Sequence, residues 1–268
     1  MGHAGGALAG PNDLPVEKAS FSPLAKSLLL RGEHDDPEAL YRLGVLYLAG
    51  TGVPKDERRG AVLVVAAAEE GIAGAQYLAG LLYGDGRGVG RDPASELIWL
   101  RRAADKGNGE AQVRLGHMFR DGWVVGKDAG EALAWYRKAV GQGEVEALRA
   151  VMDLYAEGRA GLPRDKEEVR RYCLALAERG DLTAQLMMGE RFESGVDGPA
   201  DAQQAYFWYT LAANQGSRLG ATLRDETARG MQARQIALVR EQAAGWSPSA
   251  WAEARWIAFG DTGPQLLR

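Results

Sequence analysis

The stretch AQVRLGHMFRDGWVVGKDAGEALAWYRKAVGQG, residues 111–143, decides the fold. Ala111, Leu115, Gly116, Met118 and Phe119 stand at offsets 0, 4, 5, 7 and 8 from its start. With about 100° of turn per residue these positions share one arc, which predicts the buried stripe of a helix. From Asp128 a second periodic run carries Trp135-Tyr136 and Ala139-Val140 and closes on Gly143. The unit reads as two helices joined by a glycine-bearing loop.

The unit repeats. Ala39, Ala75, Ala111, Ala147 and Ala184 recur at intervals of 36, 36, 36 and 37 residues. Tyr47, Tyr83, Phe119, Tyr155 and Phe192 follow them, then Gly50, Gly86, Gly122, Gly158 and Gly195. Asp56, Asp92, Asp128, Asp165 and Asp201 come next, and Gly71, Gly107, Gly143, Gly180 and Gly216 close the units. Five columns in phase across five units define a repeat architecture.

Each column has a local reason. Glycine inside a helix costs about 1 kcal/mol against alanine, so Gly44, Gly80, Gly116 and Gly189 imply close helix approach. Met152 replaces that glycine in the fourth unit, where packing should be wider. The aspartates suit the N-cap of the second helix, a contribution of roughly 1 kcal/mol each. Asp128/Glu131 and Asp165/Glu168 have capping-box spacing, and Asp36-Pro37 and Asp92-Pro93 add proline at the first helical position. The closing glycines suit left-handed caps.

These residues resemble the Sel1-like repeat family, whose pattern is Ala-x3-Leu-Gly-x2-Tyr-x2-Gly-x-Gly followed by Asp, Ala, Trp-Tyr, Ala-Ala and Gly. The third unit departs from it at Val124, which stands at the second loop glycine, and at Phe119 and Val140. Tetratricopeptide repeats, with a period of about 34 residues, lack the glycine-rich loop before Asp. The resemblance implies an all-α, right-handed α-solenoid of five helix-turn-helix repeats, 36–71, 72–107, 108–143, 144–180 and 181–216. Residues 1–35 are expected to be an irregular segment with a capping helix opening at Ser22-Pro23. Residues 217–268 should supply a capping pair, 218–229 and 231–245, and a tail with Trp251, Trp256, Ile257 and Phe259. Asp225 and Glu226 occupy the Leu-Gly columns of that pair, which marks the end of the stack.

Composition excludes several classes. The hydrophobic class is 46% and the formal net charge is -4, which suits a packed protein and gives a nucleic acid no basic surface. No apolar run is long enough to insert in a membrane. The start, Met1 to Gly6, lacks a basic and apolar signal pattern. A cytoplasmic protein is therefore expected if Met1 is the native start, and a periplasmic or exported one if a signal peptide was removed.

Catalytic signals are scarce. The run Gly84 to Gly90 follows a helix and not a strand, so it reads as an inter-helix loop and not a phosphate cradle. Gly126-Lys127 resembles a P-loop, yet Asp121 and Asp128 stand where Gly and Ser/Thr are needed. His3, His34 and His117 share no ligand spacing with each other or with Cys173, so no metal and no cofactor are expected. Cys173 reads as a small buried hydrophobe.

The resemblance places the first helix of each repeat on the concave side. Its outward positions would then form a groove for a protein or peptide partner of a monomeric chain. The groove residues are Tyr41, Arg42, Val45, Leu48, Tyr77, Leu78 and Leu81 at an apolar front, then Arg114, His117, Arg120 and Asp121. Asp153, Glu157, Glu190 and Glu193 make an acidic rear. The N-terminal segment, through Leu14, Val16 and Phe21, is the intramolecular candidate for covering the apolar part. The functional reading is a bacterial adaptor or scaffold without catalysis. The alternatives are an immunity or inhibitor partner of a secreted effector, and a β-lactam-binding hydrolase of the kind linked to cysteine-rich relatives. Those relatives pair cysteines in each repeat, whereas this chain has one cysteine.

Overall fold

A computed structural model describes residues 21–32, 36–158 and 164–248. Among the described residues there are thirteen α-helices and no strand. The fold is all-α. The chain divides into two compact units, Met1–Glu144 and Val145–Arg268.

In the first unit α1 (Pro23–Gly32) packs on α2 (Pro37–Ala49). Three hairpins follow: α2 with α3 (Glu57–Glu69), α4 (Ala73–Asp85) with α5 (Pro93–Asp105), and α6 (Gly109–Asp121) with α7 (Ala129–Val140). The second unit pairs α8 (Val145–Glu157) with α9 (Lys166–Glu178) and α10 (Leu182–Ser194) with α11 (Ala202–Asn214). There α12 (Arg218–Ala228) and α13 (Ala233–Ala244) both pack on α11. Asp225 and Glu226 on α12 are exposed.

The aspartate column starts the second helix of every hairpin. Asp56 accepts from Arg59 N–H, Asp92 from Ala94, Asp128 from Glu131, Asp165 from Glu167 and Glu168, and Asp201 from Gln203 and Gln204. Asp36 caps α2 in the same way. The two expected capping boxes are half boxes. The amides of Asp128 and Asp165 donate to the carbonyls of Phe119 and Tyr155, at 2.9 and 3.4 Å, so they have no need of a glutamate side chain. Asp56, Asp92 and Asp201 bond Tyr47, Tyr83 and Phe192 likewise. This bond ties the loop to the end of the first helix in each repeat, and it gives the aromatic column a backbone role.

Helix approach is closest at the internal glycines. A Cβ on Gly44 would lie 2.8 Å from Val64 Cγ2, one on Gly80 2.9 Å from Leu100 Cγ, and ones on Gly116 and Gly189 2.3 Å from the rings of Tyr136 and Tyr209. In the fourth repeat Met152 meets that register with the small Cys173 in the facing column. Helices α8 and α9 make the sparsest contact of the five hairpins, in line with the bulkier Met152.

Glutamines tie hairpin to hairpin within each unit. Nε2 of Gln76, Gln112 and Gln185 donates to the carbonyls of Ala68, Ala104 and Ala177 at 3.1, 3.0 and 3.2 Å. Oε1 of Gln112 and Gln185 accepts in turn from Gln142 and Gln215, both at 2.8 Å. Lys106 stands in that place in the second repeat and bonds Gly71 instead, and Gln76 Oε1 is buried without a partner.

Phe21, a candidate for covering the apolar front from the N-terminal segment, is buried edge-on against Tyr47 with centroids 6.0 Å apart. It belongs to the core of the first hairpin, with Ala25, Leu28 and Val53. Leu14 and Val16 of the N-terminal segment, His3, His34 and the tail with Trp251, Trp256, Ile257 and Phe259 lie outside the described residues.

Candidate protein-interaction face

Offsets 6 and 10 of each first helix point away from the partner helix, since offsets 0, 4 and 5 are spent on packing, whereas offset 3 is buried in α8 as Ala150. Two inner columns barely vary: alanine fills offset 0 five times and glycine fills offset 5 four times, while offset 4 stays apolar. The outward columns do vary. Offset 6 runs Val45, Leu81, His117, Asp153, Glu190.

In the first unit the outward row is partly built into the fold. Arg42 is exposed and bonded to Glu38 at 2.9 Å, and Val45 is 38% exposed. Leu81 is half-buried, and so is Leu78, which rests on the core beneath α4. Leu48 is a correction: it is buried at 7% exposure, filling the space left by the missing side chain of Gly60. Tyr41 is half-buried, its ring 3.5 Å from where a Gly74 Cβ would stand. Burial, with the charges of Glu38 and Glu110, raises its hydroxyl pKa. Tyr77 packs in the same manner on the core of Leu100 and Leu115. Both tyrosines join neighbouring hairpins before they offer anything to a guest.

The basic middle is likewise a correction. Arg114 donates through Nε and a terminal nitrogen to Oε1 of Glu96, at 3.2 and 2.9 Å, and Glu96 is completely buried. Arg120 is engaged by Asp121 through two bonds of 2.8 Å, which hold the Asp121 carboxyl below its usual pKa. Neither arginine presents an uncompensated charge. His117 shares a 2.8 Å hydrogen bond between Nδ1 and the hydroxyl of the buried Tyr136.

Sequence reasoning missed Trp123 as a surface feature. Its ring is 44% exposed and lies 5.6 Å from the Arg114 guanidinium, beside Val124 at 42% exposure. The signal was Val124 itself, which breaks the second loop-glycine column and adopts φ 68.

In the second unit Asp153, Glu157 and Glu190 are exposed. Glu193 accepts from the hydroxyls of Tyr209 and Thr227, at 3.0 and 3.2 Å, and so braces α10 to α11 and α12. Burial first, and Glu193 second, raise the Tyr209 pKa.

Among the described residues no group of three or more His, Cys, Asp or Glu is arranged to hold a metal ion. Burial pushes the Cys173 thiol up to about 12, which keeps it protonated and unreactive at neutral pH. No described helix is long and apolar enough to cross a membrane.

Comparison with known proteins agrees with the repeat. The Sel1 repeat family matches residues 37–72, 73–108, 109–144, 147–181 and 182–217. A Sel1 repeat protein from Oxalobacter formigenes is similar in structure, with TM-score 0.63 and 25% identity over 82% of this chain and 97% of that one. The c5321 protective antigen of uropathogenic Escherichia coli, which displays an SLR fold, gives TM-score 0.48 and 23% identity over 91% of this chain and 61% of that one. The immunity protein Pa5087 from Pseudomonas aeruginosa gives 0.44 and 21%, over 78% of each chain. No curated protein matches the chain.

Proposed function

This chain belongs to the Sel1 repeat family, and from that premise we propose that it is a non-catalytic adaptor that holds a partner protein or peptide on the outward rows of its first helices. Sel1 repeats are protein-interaction modules. The observation that carries the reading is the contrast between columns. The alanine and glycine columns that pack are nearly invariant within the chain, while offset 6 changes from apolar to imidazole to carboxylate, as a surface read by a partner would.

The contact residues in the first unit are Val45, Leu78 and Leu81 as apolar anchors, with Arg42, His117 and Asp121 around them. In the second unit Asp153, Glu157 and Glu190 offer a carboxylate row. Tyr41 and Tyr77 shape the wall from within, so truncating them would mix folding with binding. The test is affinity capture from the native organism with the wild-type chain and with Val45→Ser/Leu81→Ser. A partner held by the first and lost from the second is the expected result. A partner retained by both with equal affinity sinks the proposal.

A further inference from the structure

The inter-helix loops of the first three repeats share one position aimed inward. It is valine: Val53, Val89 and Val125. Val53 and Val89 are buried, and Val125 packs on its core from the edge. The residues that receive them recur by column. Val89 shares a core with Ala61 of the preceding hairpin and with Ala79, Leu82 and Tyr83 of its own first helix. Val125 shares one with Leu97, Leu115, Met118 and Phe119.

The fifth repeat changes this site. Gly198 stands at the valine position, and Arg170 and Arg191 replace the Ala61 and Leu82 columns. Met188 and Phe192 remain as an apolar floor. The result is a cavity of about 180 Å³. An engineered apolar cavity of about 150 Å³ is large enough to admit benzene. A Cβ added at Gly198 meets nothing within 4 Å, so a larger side chain has room at this edge of the cavity. Arg191 is held in place: its Nε and one terminal nitrogen donate to the two carboxylate oxygens of Asp197 at 2.6 Å, and the same terminal nitrogen donates to the Lys166 carbonyl. Arg170 is different. Its partner is Glu167, on the same helix and 70% exposed. With its carboxylate member solvated, the pair holds Arg170 weakly and yields to a better-placed anion.

We propose that this cavity is a binding site for a carboxylate that carries a short branched aliphatic group. The aliphatic part takes the place that the loop valine fills in the first three repeats, and the carboxylate meets the guanidinium of Arg170 at the rim, where a two-pronged bond is available. Met188 and Phe192 supply the dispersion contact, and Asp197 holds Arg191 so that it shapes the wall without competing for the anion. The site lies between α9 and the loop after α10, apart from the outward rows, and does not depend on the adaptor reading.

The test uses the full chain, titrated with 4-methylpentanoate, with N-acetyl-leucine and with 4-methylpentan-1-ol, followed by NMR shift changes. Both acids are expected to bind saturably, and the alcohol at least tenfold more weakly. Binding of N-acetyl-leucine alone would identify a peptide C-terminus as the source, and tighter binding of the free acid a small molecule. Gly198→Val puts the residue of the first three repeats at this edge of the cavity and should weaken both acids at least tenfold while leaving the far-UV CD unchanged. Arg170→Gln should remove the preference for acid over alcohol. Absence of saturable binding by either acid overturns the proposal. So does a Gly198→Val protein that binds them as the parent does. Partner capture through Val45 and Leu81 is unaffected by Gly198→Val, so failure here is distinguishable from failure of the adaptor reading.

Discussion

Arg114 on α6 reaches back eighteen residues to Glu96 on α5 and closes two hydrogen bonds on a carboxylate with no solvent exposure. The Glu96 carboxylate occupies the space beside Gly84, where a Cβ would lie 2.6 Å from it. Its second oxygen, Oε2, is buried without a partner. The pair is therefore a tie between two hairpins, and its charge is not available to a guest.

Removing one member strands the other. Arg114→Met leaves a buried carboxylate and should cost about 3 kcal/mol, the lower end for such pairs because Arg114 is itself part-exposed. Arg114→Met/Glu96→Met replaces both charges and should recover much of that loss. Urea unfolding of the two variants and the parent checks the ordering. Equal stability of all three would show that the tie is idle.

The internal glycines should respond in proportion to what faces them. Gly116→Ala drives a methyl into the Tyr136 ring and should cost about 2–3 kcal/mol. The fourth repeat, with Met152 and Cys173 in these columns, suggests the remedy. In a Tyr136→Cys background the same Gly116→Ala change should cost at least 1 kcal/mol less, measured as the coupling of a double-mutant cycle. A coupling of zero contradicts the paired-column account.

Val124 holds a left-handed φ of 68, which β-branched residues tolerate poorly. Gly52 and Gly88 hold the same place at φ 70 and 71 in the first two repeats. Val124→Gly should therefore raise stability by roughly 1 kcal/mol despite the added freedom of the unfolded chain. Calorimetry is the direct check, and a lower Tm would mean that the valine side chain is held by more than its backbone costs.

Acid should unfold the protein through its caps. The carboxyls of Asp36 and Asp92 are held below their ordinary pKa, chiefly by hydrogen bonds from Ala39 N–H and from Ser95. A depressed carboxyl contributes stability that is present above its unfolded pKa, about 3.9, and lost as pH falls through the lower folded value. Stability should thus decline below about pH 4. Asp92→Asn keeps the cap but cannot titrate, and its acid limb should be shallower than that of the parent. On the alkaline side Cys173, raised to about 12, contributes stability fully present below its ordinary value and lost as pH rises through the folded one. Cys173→Ala should flatten that limb, and an unchanged alkaline limb would remove the thiol from the account.

Much of the fold was legible because its determinants are local. Asp128 caps Glu131 three residues away, Gly122 closes α6 on Met118 four residues back, and the pairing of Gly116 with Tyr136 recurs at the same spacing in the other three hairpins that carry the glycine. The interaction face was less legible. Leu48 looked outward by its offset and is buried because Gly60 leaves it room. Arg114 looked like free charge because Glu96 belongs to another repeat.

The amino-acid sequence alone determined the helices, their starts and stops, the five-fold repeat and the close approach within hairpins. All of these follow from bonds and contacts at short, recurring separations. Tertiary structure alone decided which outward side chains are available and where space was left over. Tyr41 and Tyr77 are claimed by the neighbouring hairpin, Arg114 by a carboxylate beneath it, and the hollow beside Gly198 is set by where α9 and α10 place Arg170, Arg191, Met188 and Phe192. Availability is a property of the residues that surround a side chain, and those are set by how hairpins meet.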